Sequence, residues 1–526
     1  MLTNIRNSVL SHPLTTLCAV GLIVFGIHLT TVIDYPAGWF DEIEILEMGR
    51  FSVFNPFPDW SVNLFPGADG ALHPSAPMFH YLSGFLLESL YRLTGSFAAG
   101  RIFFLFSLPA AALLLFVWLR TKSIPVSAAL PTALFLLLDP NATICAHWYR
   151  PDLWTTSLAF ASMILLSTTC GSTTWKRPAA CFLAGVLTTT MLFTWITSAL
   201  LLPLIGWEAL QSVRSAPFRT ALRDAGLFLL GALLSSSAFL IPLYPHIPAI
   251  IAQYAQHSEL GGSSFDTPDK RLLDFIKIAV RSPYVWLLAM SGIATCRKFL
   301  VHVILFAGLC ALMLSTRVYH LRMVQLMPFL FLFTAIAHTR IQLRDGRLLR
   351  YARRAFIGFG LLSYFGLSVV ALNYAAIPGA NTFAAITEEL RTAIPVQSPK
   401  VYLYDMEHEF YYPGRALGWK MYSYAPRNLI FNTKNSAGLL DQIDAIVISK
   451  AANPQPTDVE IEAMIAHGFK QTGEIRFPRT PVNMIKSALE GLFYAHGYPD
   501  CDVYVRTGIV PIRVGDKSPC ACSAWR

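Results

Sequence analysis

Apolar stretches near the length that crosses a bilayer, about 20 residues as helix, recur along residues 1–376 with short polar gaps between them. The pattern predicts spans at 13–33, 101–119, 124–142, 152–170, 179–194, 195–210, 225–243, 284–296, 299–316, 323–338 and 355–376. The stretch 179–210 is continuous in hydropathy and is divided because it is too long for one crossing. The first run has Arg6 before it and Asp34-Tyr35-Pro36 after it, with no small-residue cleavage site, and reads as a retained signal anchor. After Pro378 apolar and polar positions mix. Val401–Asp405 and Ala445–Lys450 predict short buried strands and Cys501–Thr507 an alternating one. Thr457-Asp458-Val459-Glu460 predicts the capping box of a helix ending near Gly468. The expected organisation is an all-α polytopic membrane domain of about 11 transmembrane helices over 1–378, with an outward loop at 34–100, and a small C-terminal α/β domain over 379–526.

Composition agrees with this reading and removes its rivals. Charged residues are 14% of the chain, against about 25% in soluble domains. Hydrophobic residues are 54% and mean hydropathy is +0.48, which excludes a soluble protein, disorder, coiled coil and collagen. The net charge of +9 does not point to nucleic acid, because the basic residues collect in short loops. Those loops set the orientation. Arg120 with Lys122, Lys176 with Arg177, the group Arg214, Arg219 and Arg223, Arg297 with Lys298, and six Arg between Arg340 and Arg354 all face the cytoplasm if the N-terminus is inside. The loop from Asp34 to Leu72, with seven acids and one Arg, then lies outside, as does the C-terminal domain. His73–Gly95 decides this parity. Its short apolar core carries His80, Glu88 and Arg92, so it reads as a helix lying on the membrane surface, and a crossing there would flip every later cluster. The expected location is the inner membrane, multi-pass, with the C-terminal domain extracytoplasmic. Cys501, Cys520 and Cys522 would then meet an oxidising compartment, where a disulfide among them and free tail thiols are both open readings.

Four groups of residues carry candidate chemistry. Asp41 and Glu42 follow the first span closely. A carboxylate there can take a proton from an acceptor hydroxyl if its surroundings exclude water. The alternative is a solvated helix face, since Asp41, Glu44 and Glu47 recur every third residue. His147-Trp148-Tyr149-Arg150-Pro151-Asp152 opens the fourth span. Arg150 can neutralise a phosphate in bidentate fashion, or anchor the chain in an aromatic belt. Arg317, His320 and Arg322 lie in an outer loop against the positive-inside tendency, which suits an anionic ligand or lipid head groups. His73 before Pro74 can be a turn residue, and Arg101 can snorkel. The topology puts all of these on one side of the membrane.

These residues resemble the GT-C glycosyltransferases, in particular bacterial dolichyl-phosphate-mannose–protein mannosyltransferase-like proteins and the lipid A aminoarabinose transferase. Asp41-Glu42 is similar to the family's first-loop acidic pair. His73-Pro74-Ser75-Ala76-Pro77 resembles its His-Pro-Pro segment, with Ser75 in place of the second Pro and no Lys before it. Gly100-Arg101 with Pro109, Tyr149-Arg150-Pro151-Asp152, and His320-Leu321-Arg322 with Met327-Pro328 resemble later motifs in the same order. The resemblance covers residues 10–340. It implies a polyprenyl-phosphate-linked sugar as donor and a lipid, protein or polysaccharide of the cell envelope as acceptor. It also implies Asp41 as general base in a single inverting displacement. Arg150, Arg322 and His320, with Arg101 and His73, would hold the donor phosphate; Glu42 and Asp152 would orient the acceptor or hold a cation. No cofactor is required, and a divalent ion on Asp41 and Asp152 stays open. The rival readings are a glycan ligase or polymerase with a polyprenyl-diphosphate donor, a lipid or solute transporter, and a non-catalytic scaffold. The near absence of mid-span charges speaks against the transporter.

Overall fold

The computed structural model describes residues 11–34, 64–66, 72–74, 81–148, 150–168, 176–214, 216–248, 250–251, 268–294, 299–315, 320–343, 347–373, 382–404, 408–422, 440–450, 455–476 and 498–508. The chain forms two compact units. One comprises Met1–Thr30, Ile102–Pro245 and Ser258–Asn373; the other comprises Thr31–Arg101, His246–His257 and Tyr374–Arg526.

Among the described residues, five helices are long and apolar enough to cross a membrane: Phe97–Thr121, Lys176–Thr194, Ile196–Arg214, Phe218–His246 and Met323–Arg340. The bent pair Val126–Leu138 and Pro140–His147 makes a sixth if it is one span. Pro13–Leu29, Pro283–Ala294 and Leu300–Ser315 are shorter apolar helices. The chain is therefore an integral membrane protein. Asp152–Thr168 and Arg347–Asn373 occupy the expected spans at 152–170 and 355–376. Tyr81–Thr94 is not among the helices able to cross. Its 14 residues extend about 21 Å, less than the ~30 Å hydrocarbon core.

Local chemistry explains the breaks. The apolar stretch 179–210 divides at Trp195, which is extended (φ −160°, ψ 121°). A 3-10 helix, Ile196–Leu201, follows before the α-helix Leu202–Arg214. Pro203 falls in the first turn of the helix Leu202–Arg214, a position that accepts proline because its missing N–H would be unpaired there in any case. The span expected at 124–142 is not one helix. It bends by 49° between Leu138 and Pro140. Pro140 biases Asp139 to extended backbone, and the Asp139 carboxylate caps the new helix by accepting from the N–H groups of Asn141 at 3.0 Å and Ala142 at 3.1 Å. Hydropathy ran straight through this start signal.

Two helix crossings in the first unit bring backbones into contact. A Cβ on Gly185 would stand 2.0 Å from the Phe228 carbonyl oxygen, and one on Gly231 would stand 2.2 Å from that of Phe182. Lys176–Thr194 and Phe218–Leu243 therefore cross at a pair of small residues. Gly292 does the same against the Phe333 carbonyl, at 2.0 Å, between Pro283–Ala294 and Met327–Leu343. We expect Gly231→Leu to destabilise the protein by about 1–3 kcal/mol, read as a lower thermal midpoint in detergent. Gly226→Leu on the same helix, where nothing lies within 4 Å, is the matched control and should leave the midpoint near that of the wild type.

The second unit contains a hairpin, β1 (Leu64–Pro66) and β2 (Leu72–Pro74), which puts His73 opposite Phe65. It also contains a five-stranded sheet of β3 (Lys400–Leu403), β4 (Lys420–Tyr422), β5 (Ala445–Ser449), β6 (Phe469–Ile475) and β7 (Cys501–Arg506), in the order β4-β3-β5-β7-β6. β3 runs parallel to β4 and β5, whereas β7 is antiparallel to β5 and β6. Tyr402, Tyr404, Leu440, Ile443, Ile446, Ile448, Met464 and Phe469 form its core. The Thr457–Glu460 capping box is present, and Gly468 ends that helix at φ +85°. β3, β5 and β7 fall where alternation and apolar runs put strands. β4 and β6 were not read from the sequence: β4 is three residues long, and β6 exposes its middle and buries only its ends, as an edge strand can. Cys501 is buried on β7, while Cys520 and Cys522 lie outside the described residues.

Candidate functional site

In the first unit, Arg150 and Asp152 form a buried ion pair. Arg150 Nε donates to Asp152 Oδ2 at 2.9 Å, and their side chains are 4% and 0% exposed. Pro151 holds the short link between them, and Asp152 opens the helix Asp152–Thr168, where its carbonyl accepts from the hydroxyls of Thr155 and Thr156. The Arg150 guanidinium lies over the Trp195 ring, with Cζ 5.1 Å from the centroid. The extended backbone at the Trp195 break thus sets the aromatic partner of an arginine 45 residues earlier. The guanidinium is thus held between a carboxylate and an aromatic face. The 3-10 helix His320–Leu326 packs against Pro140–His147, Asp152–Thr168 and Ile196–Leu201. The segment bearing His320 and Arg322 is therefore brought to the segment bearing Arg150 and Asp152. The backbone of His320 and Arg322 is described and their side chains are not.

Behind this group, two features fix the Pro140–His147 helix. His147 meets His28 of the Pro13–Leu29 helix edge to face, with centroids 4.8 Å apart. At the other end Ser282 Oγ donates to Asp139 Oδ2, and Asn141 Nδ2 donates to Ser282 Oγ at 2.9 Å. A cap with both oxygens engaged holds the bend, and the bend aims the chain toward Arg150.

In the second unit, Arg101 is buried and Nη1 donates to the Val32 carbonyl at 3.0 Å; its guanidinium is 5.9 Å from the Tyr412 ring. Asp34 accepts from the N–H of Phe383 at 2.9 Å, at the start of the helix Phe383–Ala393. Burial pushes the Asp34 carboxyl above its ordinary value, while the Phe383 N–H and the Arg101 charge act the other way. A raised folded pKa means that the folded state holds the proton more tightly. The stability this gives is complete below the unfolded pKa and is lost as pH rises through the folded one. Asp34→Asn keeps an acceptor for Phe383 and should flatten that loss of stability with rising pH in a pH series of thermal midpoints. Glu88 receives the Arg415 guanidinium on both oxygens, at 3.0 and 3.1 Å, and Arg92 Nε at 3.0 Å; Arg415 also lies 4.6 Å from the Tyr91 centroid. Arg415 and Glu88 are 1% and 0% exposed, so this charge cluster ties Tyr81–Thr94 to Tyr411–Ala416.

Of the sequence candidates, Arg150, Asp152 and Arg101 are fully described. His73 is described as a strand position, and Asp41 and Glu42 lie outside the described residues. Sequence reasoning did not find Trp195, Asp139, or the Glu88–Arg415 pair. A signal existed for two of them: Asp139-Pro140-Asn141 is a helix start inside an apolar run, and Glu88 is an acid in a mostly apolar helix. Among the described residues no group of three or more His, Cys, Asp or Glu side chains is placed to hold a metal ion.

The fold aligns with two crystal structures of ArnT from Cupriavidus metallidurans. The apo structure matches with a TM-score of 0.59 and 13% identity, over 94% of this chain and 98% of that one. The structure bound to undecaprenyl phosphate matches with a TM-score of 0.60 and 14% identity, over 95% and 99%. A cryo-EM structure of the arabinofuranosyltransferase AftD from Mycobacteria matches with a TM-score of 0.52 and 14% identity, over 93% of this chain and 41% of that one. This chain thus spans less than half the length of AftD. No family model and no curated protein matches the sequence. At such identities the likeness establishes a shared architecture alone.

Proposed function

We propose that the protein is an integral-membrane glycosyltransferase of the GT-C type. It moves a sugar from a polyprenyl-phosphate donor to an acceptor hydroxyl at the outer face of the membrane. The observation that carries this is the fold, shared over nearly the whole chain with a structure that holds undecaprenyl phosphate. The buried Arg150, placed by Asp152 and Trp195, supports it as a group suited to a phosphate. In the orientation set by the basic loops, the N-terminus is cytoplasmic and the region 379–526 is extracytoplasmic, and the Tyr81–Thr94 helix lies at the surface.

In the proposed reaction the Asp41 carboxylate accepts the proton of the acceptor hydroxyl, and the freed oxygen attacks the anomeric carbon. The bond from that carbon to the phosphate oxygen breaks, polyprenyl phosphate leaves with the electron pair, and the anomeric centre inverts. Because the leaving group departs as a stable anion, charge stabilisation by Arg150 outweighs protonation. His320 and Arg322 share that role from the packed 3-10 segment. Arg101, His73 and Glu42 enter on the sequence resemblance. None of these steps needs a cofactor.

The test is turnover of radiolabelled undecaprenyl-phosphate sugars by purified protein in nanodiscs. The expected result is label lost from the lipid to water or acceptor, with undecaprenyl phosphate as product and the anomer inverted. Turnover of a diphosphate-linked glycan instead would favour a ligase or polymerase. Movement of intact lipid between leaflets would favour a transporter.

A further inference from the structure

Three elements of the first unit pack against one another pairwise: the 3-10 helix Ile196–Leu201, the helix Asp152–Thr168, and the 3-10 helix His320–Leu326. Among the described residues, each carries a buried polar group that lacks a hydrogen-bond partner: Thr197 Oγ1, Asp152 Oδ1, and both Oε1 and Nε2 of Gln325. Asp152 and Gln325 are both 0% exposed. A buried polar group left unpaired lowers the folded population by roughly tenfold or more. These groups fall on three mutually packed elements, and the proposed reaction leaves Thr197 and Gln325 without a role.

The geometry points to a subsite for the hydroxyl groups of the transferred sugar, with Gln325 as its specificity-determining residue; this rests on the donor reading above. The atoms select the ligand class. Asp152 Oδ1 and Gln325 Oε1 accept only, Gln325 Nε2 donates only, and Thr197 Oγ1 does either. A phosphate offers acceptors and cannot serve Asp152 Oδ1 or Gln325 Oε1. An ammonium group offers donors and cannot serve Gln325 Nε2. A polyol face offers both. The Arg150 guanidinium on the other oxygen of Asp152 supplies the adjacent cation. Asp152 would thus touch the phosphate-binding arginine with one oxygen and a sugar hydroxyl with the other.

The experiment compares binding of undecaprenyl phosphate with binding of undecaprenyl-phosphate-linked arabinose, glucose and mannose, by thermal shift and filter binding in nanodiscs. Wild type should bind one of the sugar-linked lipids about tenfold more tightly than the bare lipid phosphate. Gln325→Leu should remove that difference, keep the affinity for the bare lipid, and leave the ligand-free thermal midpoint unchanged or raised, because an unpaired amide has gone. Thr197→Val should reduce the difference in the same direction and stands in if Gln325→Leu does not fold. The subsite is overturned if no sugar-linked lipid binds better than the bare lipid, or if both variants keep the full difference, in which case ordered water satisfies these groups. Failure of wild type to bind either kind of lipid overturns the donor reading itself, and the subsite with it.

Discussion

Asp41→Asn should turn over a labelled undecaprenyl-phosphate sugar about a thousandfold more slowly than wild type, within the ~10²–10⁴ range that a positioned general base contributes. The amide fills nearly the same volume but cannot take the acceptor proton in the transition state. The loss should therefore appear in kcat, with donor affinity and the thermal midpoint close to those of wild type. A loss of binding equal to the loss of rate would instead place Asp41 among the donor contacts. Glu42→Gln, measured beside it, should cost less, because its assigned role is orientation of the acceptor. Full activity in Asp41→Asn would remove the general base from the proposed reaction.

The second large effect concerns the buried pair. Arg150→Met should destabilise the protein by about 3–5 kcal/mol, since it leaves the Asp152 carboxylate buried without its counter-charge. Asp152 is 0% exposed and Arg150 Nε is the described donor to its carboxylate. The same change should weaken donor binding through loss of the cation. The double variant Arg150→Met/Asp152→Leu separates the two effects. Replacing a buried ion pair by apolar groups of similar volume is often neutral, so the double variant should recover most of the thermal midpoint and none of the activity. If the single variant is as stable as wild type, the pair is solvated in the membrane-embedded protein and the argument for a desolvated phosphate-binding arginine fails.

Much of the chain was legible from its residues. Spans could be read because the bilayer imposes a length and a polarity on consecutive residues, a one-dimensional constraint. The division near residue 195 followed from length alone, and the extended backbone of Trp195 marks where it falls. β3, β5, β7 and the capping box at Thr457 could be read because their signals lie within a few neighbouring residues. The helix Pro268–Arg281 was missed. Its charges interrupt the hydropathy, although Leu272, Leu273, Ile276 and Val280 share one exposed face.

The sequence by itself determined that the protein lives in a membrane, where most of its apolar helices and three of its strands lie, and which charged residues stand at helix mouths, because each of these is decided by polarity over a short local window. Only the tertiary structure decided that Trp195 covers Arg150, that Arg415 neutralises Glu88 from 327 positions away, and that the elements bearing Gln325, Thr197 and Asp152 pack against one another. Helix bends such as that at Asp139, and crossings that close at single small residues such as Gly185 and Gly231, are likewise set by contacts between distant segments. A local pattern records which residue types are present, and packing across distant segments decides which of them meet.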